Sequence, residues 1–430
     1  MRIAQLTSVS PGLLSLGLVF SVAAQLRLPG VPVGVGEALL LLWLLSTLVS
    51  TWNWRDPALA GVLFLTAVGA LLLGAGYFLM SYPAGLPRPP AWHDTLAYAF
   101  CAVLAINYAR LSDRHEGSLP AALLWAFLFS ALLALVLGII AKDWSGIDAL
   151  YDHTRWQHLS NNPNQFALLV LPLPFLALYL TLRQGGKDNV LMPTLACLVA
   201  LALGFYSMSD ALMLAWIGGG LVAMLALPNS GPETQQRGPQ ARRVAALLIV
   251  LMVSGSAWQV RDIAAGIVLG SGSGVRSGGD ACSEAGLPKS RSESDERPSQ
   301  AGVRLCLWRN GLKAIQYAPL TGMGPGPHSG FMTPFSGQEA HNTLIDWGTQ
   351  TGIAGMAALV TVLAWLLWQV ARRRQYELTA MLLALYCFAM FHHVLRQPMF
   401  WVIPLLAWSL AASSKRYGRS GSARKPGAKG

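Results

Sequence analysis

The chain has 430 residues, 53% of them hydrophobic and 12% charged, and a net charge of +11. Soluble globular domains carry about twice that share of charge, which sets a soluble fold aside. A basic balance would suggest nucleic acid in a soluble protein. Here the Lys and Arg read instead as loop residues of a membrane protein, and nucleic acid is not an expected partner.

Apolar blocks near the roughly 20 residues needed to cross a hydrocarbon core predict membrane helices over 12–26, 32–50, 59–80, 95–109, 121–141, 164–182, 189–206, 208–227, 244–268, 347–370, 377–392 and 399–413. The expected fold is an all-α polytopic membrane protein of about 12 transmembrane helices with one large loop. Arg2, the apolar run Leu13 to Phe20 and the small residues Val22, Ala23 and Ala24 imitate a secretory signal. More spans follow at once, so they read as an uncleaved first helix. Only Tyr206 to Ser209 separate the seventh and eighth spans, which predicts a tight helical hairpin.

The basic residues set the orientation. With the N-terminus in the cytoplasm, cytoplasmic segments hold 18 Lys and Arg, among them Arg110, Arg183, Arg372, Arg373, Arg374 and six from Lys415 onward. The short outer loops hold five: Arg27, Arg88, Lys142, Arg155 and Arg396. The chain therefore divides into spans 1–9 (1–268), an outer loop (269–346), spans 10–12 (347–413) and a basic cytoplasmic tail (414–430). The tail is rich in Gly, Ser, Lys and Arg and suits anionic lipid heads. Within the loop, Val303 to Ile315 is patterned as an amphipathic helix. Cys282 and Cys306 are the only cysteines outside the spans, and both fall on the oxidising side. They are expected to form a disulfide, with two free thiols as the alternative.

The chemistry-bearing motifs lie on the outer side. Asn161-Asn162-Pro163-Asn164 opens the sixth span as an N-cap with Pro at N1. It serves capping alone, or adds a helix N-terminus that attracts phosphate. Arg155 lies just upstream, to bridge lipid heads or to clamp a phosphate. Arg304 and Trp308 share a helix face, where a cation–π stack is the plain reading. Gly322-Met-Gly-Pro-Gly326 lets the backbone approach something closely, yet lacks the Lys-Ser/Thr of a nucleotide loop. Glu339-Ala-His341-Asn342 precedes the tenth span, and a His there suits a base near neutral pH. Asp210 is a candidate as an acid at a span start. His392, His393 and Arg396 end the eleventh span and extend the same face. No His/Cys spacing points to zinc. A transporter would scatter polar groups at mid-membrane. The mid-spans here are nearly free of ionisable residues, which favours an enzyme at the outer interface.

In order, Arg155 with Asn162-Pro163-Asn164, Arg304-x-x-x-Trp308, Pro319-Leu-Thr-Gly322-x-Gly324-Pro-Gly326, His341-Asn342-x-Leu344 and Gly352-Ile-x-Gly355 resemble the O-antigen ligase and polymerase superfamily. The resemblance implies a glycosyltransferase of the bacterial inner membrane whose site faces the periplasm, so that the large loop is periplasmic. It implies a donor glycan on undecaprenyl diphosphate, lipid A–core as the acceptor of a ligase, and membrane lipids as surroundings. It also implies no cofactor and no metal. Carried onto this chain, His341 is the base and Arg155, Asn162, Asn164, Arg304, Gly324 and Asn342 hold diphosphate or glycan. Many members have Ser-Arg at the hairpin where this chain has Ser209-Asp210, and an Asp cannot hold diphosphate. Arg276 and Arg396 are candidate substitutes, and Glu339 is a candidate to orient the imidazole. Ligase is the first reading. A polysaccharide polymerase, a protein O-oligosaccharyltransferase and, in a different class, a lipid-glycan transporter are the alternatives.

Overall fold

The computed structural model describes residues 3–27, 33–47, 56–82, 88–115, 117–151, 153–183, 190–226, 239–268, 300–329 and 337–422. Arg276 and Cys282 lie outside the described residues.

Each of the twelve predicted spans coincides with a helix or a broken helix. α1 (Ile3–Phe20), α2 (Val35–Thr47), α3 (Pro57–Leu79), α4 (Trp92–His115) and α5 (Leu119–Leu135) come first, and α5 runs on into a π-helical turn over Val136–Ile140. A four-residue α6 (Lys142–Ser145) and two short strands follow. Then come α7 (Pro163–Val170), α8 (Leu173–Arg183), α9 (Leu191–Tyr206), α10 (Asp210–Ala226) and α11 (Pro239–Val268). The last elements are α12 (Gln300–Tyr317), α13 (Thr343–Ala371), α14 (Tyr376–Ala389) and α15 (Pro398–Ser422). Among the described residues, five stretches are long and apolar enough to cross a membrane: Pro57–Leu79, Leu119–Ile140, Pro163–Leu182, Ala241–Arg261 and Thr343–Ala371. The other apolar helices are shorter.

Four features differ from the sequence reading. The fourth helix, Trp92–His115, is longer than the expected 95–109, because its polar ends remain helical. The sixth span is two helices, α7 and α8, separated at Leu171-Pro172, since Pro172 has no N–H to continue the ladder. Trp216 on α10 donates its indole N–H to the Leu171 carbonyl at that break (3.2 Å). The all-α expectation missed a small antiparallel pair, β1 (Leu150–Tyr151) with β2 (Arg155–Trp156). Pairs this short carry too little period-2 pattern to be read. The tenth span starts at Thr343 rather than 347, which draws Asp346 into its first turn.

The α7–α8 pair is apolar on every side and almost wholly buried, as a helix at the centre of a bundle must be. It packs among α5, α9, α11 and α14, and α14 packs in turn on α10 and α13. Phe166, Phe175, Trp216 and Phe388 are fully buried there. A second group places α3 against α13 and α4, and α15 against α4.

α13 is not one continuous helix. Gly352 has φ +69°, and the Ile353 N–H bonds to Pro319 O (2.8 Å) instead of continuing the helix. A Cβ at Gly352 would stand 2.6 Å from Leu320 C, so only Gly suits both the conformation and the space.

Candidate active site

Two polar clusters form, and helix register puts both at one end of the bundle. Asn107 Nδ2 and Arg110 Nη2 on α4 bond Thr47 at the end of α2 (2.7 and 2.5 Å). The Glu37 charge, near the start of α2, acts on Cys101 of α4. These two points make α2 and α4 parallel. The beginning of α2, where Glu37 pairs with Arg27 (2.7 Å), therefore lies level with the beginning of α4. Gln25, next to Arg27, donates to Ser160 O (2.7 Å) and ties the Arg155–Asn164 segment to that same end.

The first cluster surrounds Arg155. Its Nε donates to Ser207 O (2.9 Å) and its Nη2 to Met208 O (3.0 Å), both at the α9–α10 turn. Met208 turns that hairpin at φ +49°. Among the described residues, Nη1 of Arg155 makes no hydrogen bond. Asn162 caps α7 by accepting the Asn164 N–H (2.8 Å), and Asn164 Oδ1 accepts from Ser209 Oγ (2.9 Å). The structure thus brings Arg155, Asn162, Asn164 and the Ser209-Asp210 hairpin together. Asp210 itself is exposed at the start of α10. A guanidinium therefore does stand at the hairpin, supplied by Arg155 from another segment.

The second cluster surrounds His341, which is solvent-accessible and held at φ +53°. Left-handed backbone is uncommon for a non-Gly residue and persists where its surroundings enforce it. The enforcement comes from Asp346, buried one turn inside α13. Its Oδ1 accepts the Ala340 N–H (2.7 Å) and its Oδ2 the Asn342 N–H (3.3 Å), so both amides flanking His341 end on one carboxylate. Ser329 Oγ is a third donor to Asp346 (3.2 Å). Trp308 on α12 donates its indole N–H to Ala340 O (3.0 Å). The Arg304–Trp308 stack is not found among the described residues.

Asn342 caps α13, accepting from Leu344 and Ile345 N–H (3.0 and 3.1 Å), and its amide donates to Met390 O (2.9 Å). Both ends of that side chain are in use. Thr343 Oγ1 donates to His392 O (2.6 Å) and latches the α14–α15 loop onto the same turn. His392 lies against Phe388, with ring centroids 4.6 Å apart. The His393 side chain is 1% exposed; its Nδ1 lies 3.7 Å from Asp346 Oδ2 and its Nε2 3.0 Å from the Tyr98 hydroxyl. Tyr98 donates onward to Gln350 Oε1 (2.9 Å).

Three further candidates make contacts within the chain. Glu339 meets Arg396 rather than His341, since two residues along the chain is poor geometry for orienting the ring. Arg396 spends its other arm on Asp94 (2.7 Å), so as a diphosphate ligand it would have to leave two carboxylates. Gly324 donates its N–H to Gln350 O (3.0 Å), and its φ of +83° serves close packing of the glycine loop on α3 and α13. Arg304 differs from these. Among the described residues it has no hydrogen bond or ion pair, yet its charge reaches both His341 and His392.

These surroundings hold the His341 imidazole below its ordinary value, first through partial burial and then through the Arg304 and Arg396 charges. It is therefore neutral near neutral pH and able to accept a proton. Burial pushes His392 down to about 3, helped by Arg304 and His341. Burial also pushes His393 well down, and Glu339 up. Among the described residues, no group of three or more His, Cys, Asp or Glu is placed to hold a metal ion. Cys306 is disulfide-bonded, while Cys101, Cys197 and Cys387 are free.

A family model described as O-antigen ligase matches residues 195–360. This stretch belongs to the O-antigen ligase and polymerase superfamily. It contains the Ser209-Asp210 hairpin, Arg304, Trp308, the glycine loop, His341 and Asp346, whereas Arg155, Asn162 and Arg396 lie outside it. No curated protein matches the chain.

Sequence reasoning missed Asp346, Tyr98, Asp94 and Gln350. Asp346 left a signal, as a lone acid in the first turn of an apolar span just after His341-Asn342. Tyr98 and Asp94 left none. They lie on α4, far in sequence from every partner they meet.

Proposed function

We propose that the protein is a periplasm-facing O-antigen ligase of the inner membrane, with twelve transmembrane helices. It transfers a glycan from undecaprenyl diphosphate to lipid A–core without a metal. The observation that carries this reading is His341: accessible, held neutral, clamped through both neighbouring amides by Asp346, and within reach of the charge of Arg304, which has no partner among the described residues.

The acceptor hydroxyl oxygen attacks the anomeric carbon while His341 takes its proton. The bond from that carbon to the diphosphate oxygen breaks, and the diphosphate leaves with the electron pair from the opposite face, so the configuration inverts. The Arg304 charge and the Arg155 guanidinium above the α7 N-terminus suit the negative charge that develops on the leaving group. A disulfide between Cys282 and Cys306 belongs to the same reading, since it requires an oxidising compartment.

Deletion of the gene followed by gel analysis of lipopolysaccharide tests the acceptor. A ligase mutant loses every O-antigen rung and keeps intact core. Core plus one repeat would reassign the protein as a polymerase. An unchanged ladder would point to a protein transferase, and glycan trapped on the cytoplasmic face to a transporter. Transfer by the purified protein should persist in EDTA. Loss restored by a divalent ion would make His341 a ligand instead of a base.

A further inference from the structure

His393 is a buried ionisable group beside the His341 loop that the transfer step leaves unused. Its side chain is 1% exposed. Hydrogen-bond directions fix its tautomer. The Tyr98 hydroxyl has one proton and donates it to Gln350 Oε1 (2.9 Å). Toward His393 Nε2, 3.0 Å away, the same oxygen accepts, so Nε2 carries the ring proton. Burial keeps the imidazole neutral, which leaves a bare lone pair on Nδ1. Among the described residues that nitrogen has no hydrogen-bond partner; it is shut off from water and stands 3.7 Å from Asp346 Oδ2. Two acceptors face each other, too far apart for a hydrogen bond. A buried polar atom left in this way is costly and asks for a reason.

A proton between the two would turn this contact into a charge-assisted bond of about 2.7–2.9 Å. The loop of His393 is pinned on both sides by Thr343, whose Oγ1 donates to His392 O and accepts the Val394 N–H (2.6 and 3.1 Å). The carboxylate is therefore the partner that moves. Of its three bonds, the one from the Asn342 N–H to Oδ2 is the longest at 3.3 Å, so it yields first. The surrounding charges keep such a proton from settling on His393 alone, because Arg396 and His341 oppose it there. Asp94 and Glu339 spend charge on Arg396, Arg304 acts on His341 and His392, and burial keeps His392 neutral. The proton is shared with Asp346.

We propose that His393, oriented by Tyr98, is a positioning residue that makes the Asp346 clamp proton-operated. Without the proton, Asp346 holds both amides that flank His341. With it, Oδ2 turns to His393 and releases the Asn342 side of the loop. Acid then stops transfer twice, by protonating the base and by loosening the loop that aims it; this bearing on activity rests on the transferase reading.

The test uses the full chain in lipid nanodiscs. Hydrogen exchange of the peptide 338–345, expressed as protection against the free-peptide rate at each pH, reads the clamp. Between about pH 7.5 and about pH 5, a window spanning the ordinary His value, wild-type protection should fall about tenfold, the scale of one hydrogen bond. It should recover on return. His393→Gln keeps a donor for Tyr98 but has no titratable nitrogen, so its protection should not fall in acid. Tyr98→Phe removes the group that keeps the ring proton on Nε2. A neutral ring then donates from Nδ1 to Asp346, and protection should be low already at about pH 7.5. In transfer assays the acid limb of log kcat should approach a slope of about 2 in the wild type and about 1 in His393→Gln. Wild-type protection that ignores pH overturns the inference. So does an acid fall that persists in His393→Gln, or a slope of about 1 in an active wild type. If His393→Gln does not fold, Tyr98→Phe decides, and wild-type protection in that variant at about pH 7.5 overturns it. If the loop loosens as described but no polyprenyl-diphosphate donor yields transfer, the transferase reading fails while the clamp assignment stands.

Discussion

The two ends of the bundle treat their charged side chains in opposite ways. At the end carrying His341, polar groups from α4, α12, α13 and the α14–α15 loop converge on one short loop. At the other end, several meet nearby carbonyls and rings. Arg110 bonds Thr47 O (2.5 Å), and Arg373 bonds Trp408 O (3.2 Å) and stacks on the Trp408 ring at 3.8 Å. Arg372 lies 4.8 Å over Trp368, and Trp408 reaches Asp56 (3.4 Å). Cations that cap carbonyls and stack on tryptophan fix a bundle in an interface. At the His341 end a buried carboxylate, Asp346, instead holds the loop of a strained, accessible His, and among the described residues Arg304 makes no hydrogen bond or ion pair.

The largest break in this comparison should come from His341→Ala. Loss of a general base typically costs about 10²–10⁴-fold in rate. Initial transfer rates of purified, lipid-reconstituted protein measure it, and a wild-type rate would remove the base assignment. Arg304→Ala and Arg155→Ala should each cost about 10–100-fold, the scale of a hydrogen bond to a charged group. Lys should rescue only in part, because it lacks the planar fork. A normal rate in either Ala variant, with insertion intact, would take that residue out of the site.

Asp346→Asn sharpens the comparison, because it alters the clamp without touching the reacting groups. One of its oxygens becomes a donor facing an amide N–H, and the loop loses an acceptor. A drop of about tenfold in kcat, corresponding to one hydrogen bond, with little change in donor KM is expected. An equal rise in KM would show that the clamp shapes binding instead.

The pH profile offers a smaller effect. The base works unprotonated, and its pKa is lowered in the folded protein. Activity should therefore hold as pH falls through the ordinary His value near 6.5 and decline only below it. Arg304→Ala removes one of the charges that lower the pKa, so the acid limb should move upward. A limb above 6.5 in the wild type would contradict the assignment. Smallest of all, Arg373→Ala at the opposite end should leave transfer unchanged and reduce stability by about 0.5–2 kcal/mol, the scale of a cation–π contact. Thermal melting in detergent reads that loss, and a transfer defect comparable to Arg304→Ala would dissolve the contrast between the ends.

Much of this arrangement was legible along the chain. Apolar blocks located the helices because crossing a bilayer demands local, contiguous hydrophobicity. Asn162-Pro163 and Asn342 announced helix starts because capping needs only residues two or three apart. Helix α12 spans the amphipathic stretch Val303 to Ile315 for the same reason of local periodicity. The roles inside the site were less legible. Glu339 is a candidate to orient the imidazole, Arg396 a candidate substitute for a diphosphate arginine and Gly324 a candidate ligand, and the contacts that Glu339, Arg396 and Gly324 make within the chain left no local trace.

The sequence by itself determined that this is a helical membrane protein with its chemistry-bearing residues grouped between spans, and it named His341, Arg304 and Arg155. Only the tertiary structure decided what each of them touches. Asp346 holds the amides on both sides of His341, Arg155 supplies the guanidinium at a hairpin whose own residue is Asp210, and Asp94 and Tyr98 reach the site from α4. Hydrophobic span length is a local property that any window of about 20 residues reveals. A hydrogen bond between Tyr98 and His393 joins residues 295 positions apart, and no local pattern records which helices will stand side by side.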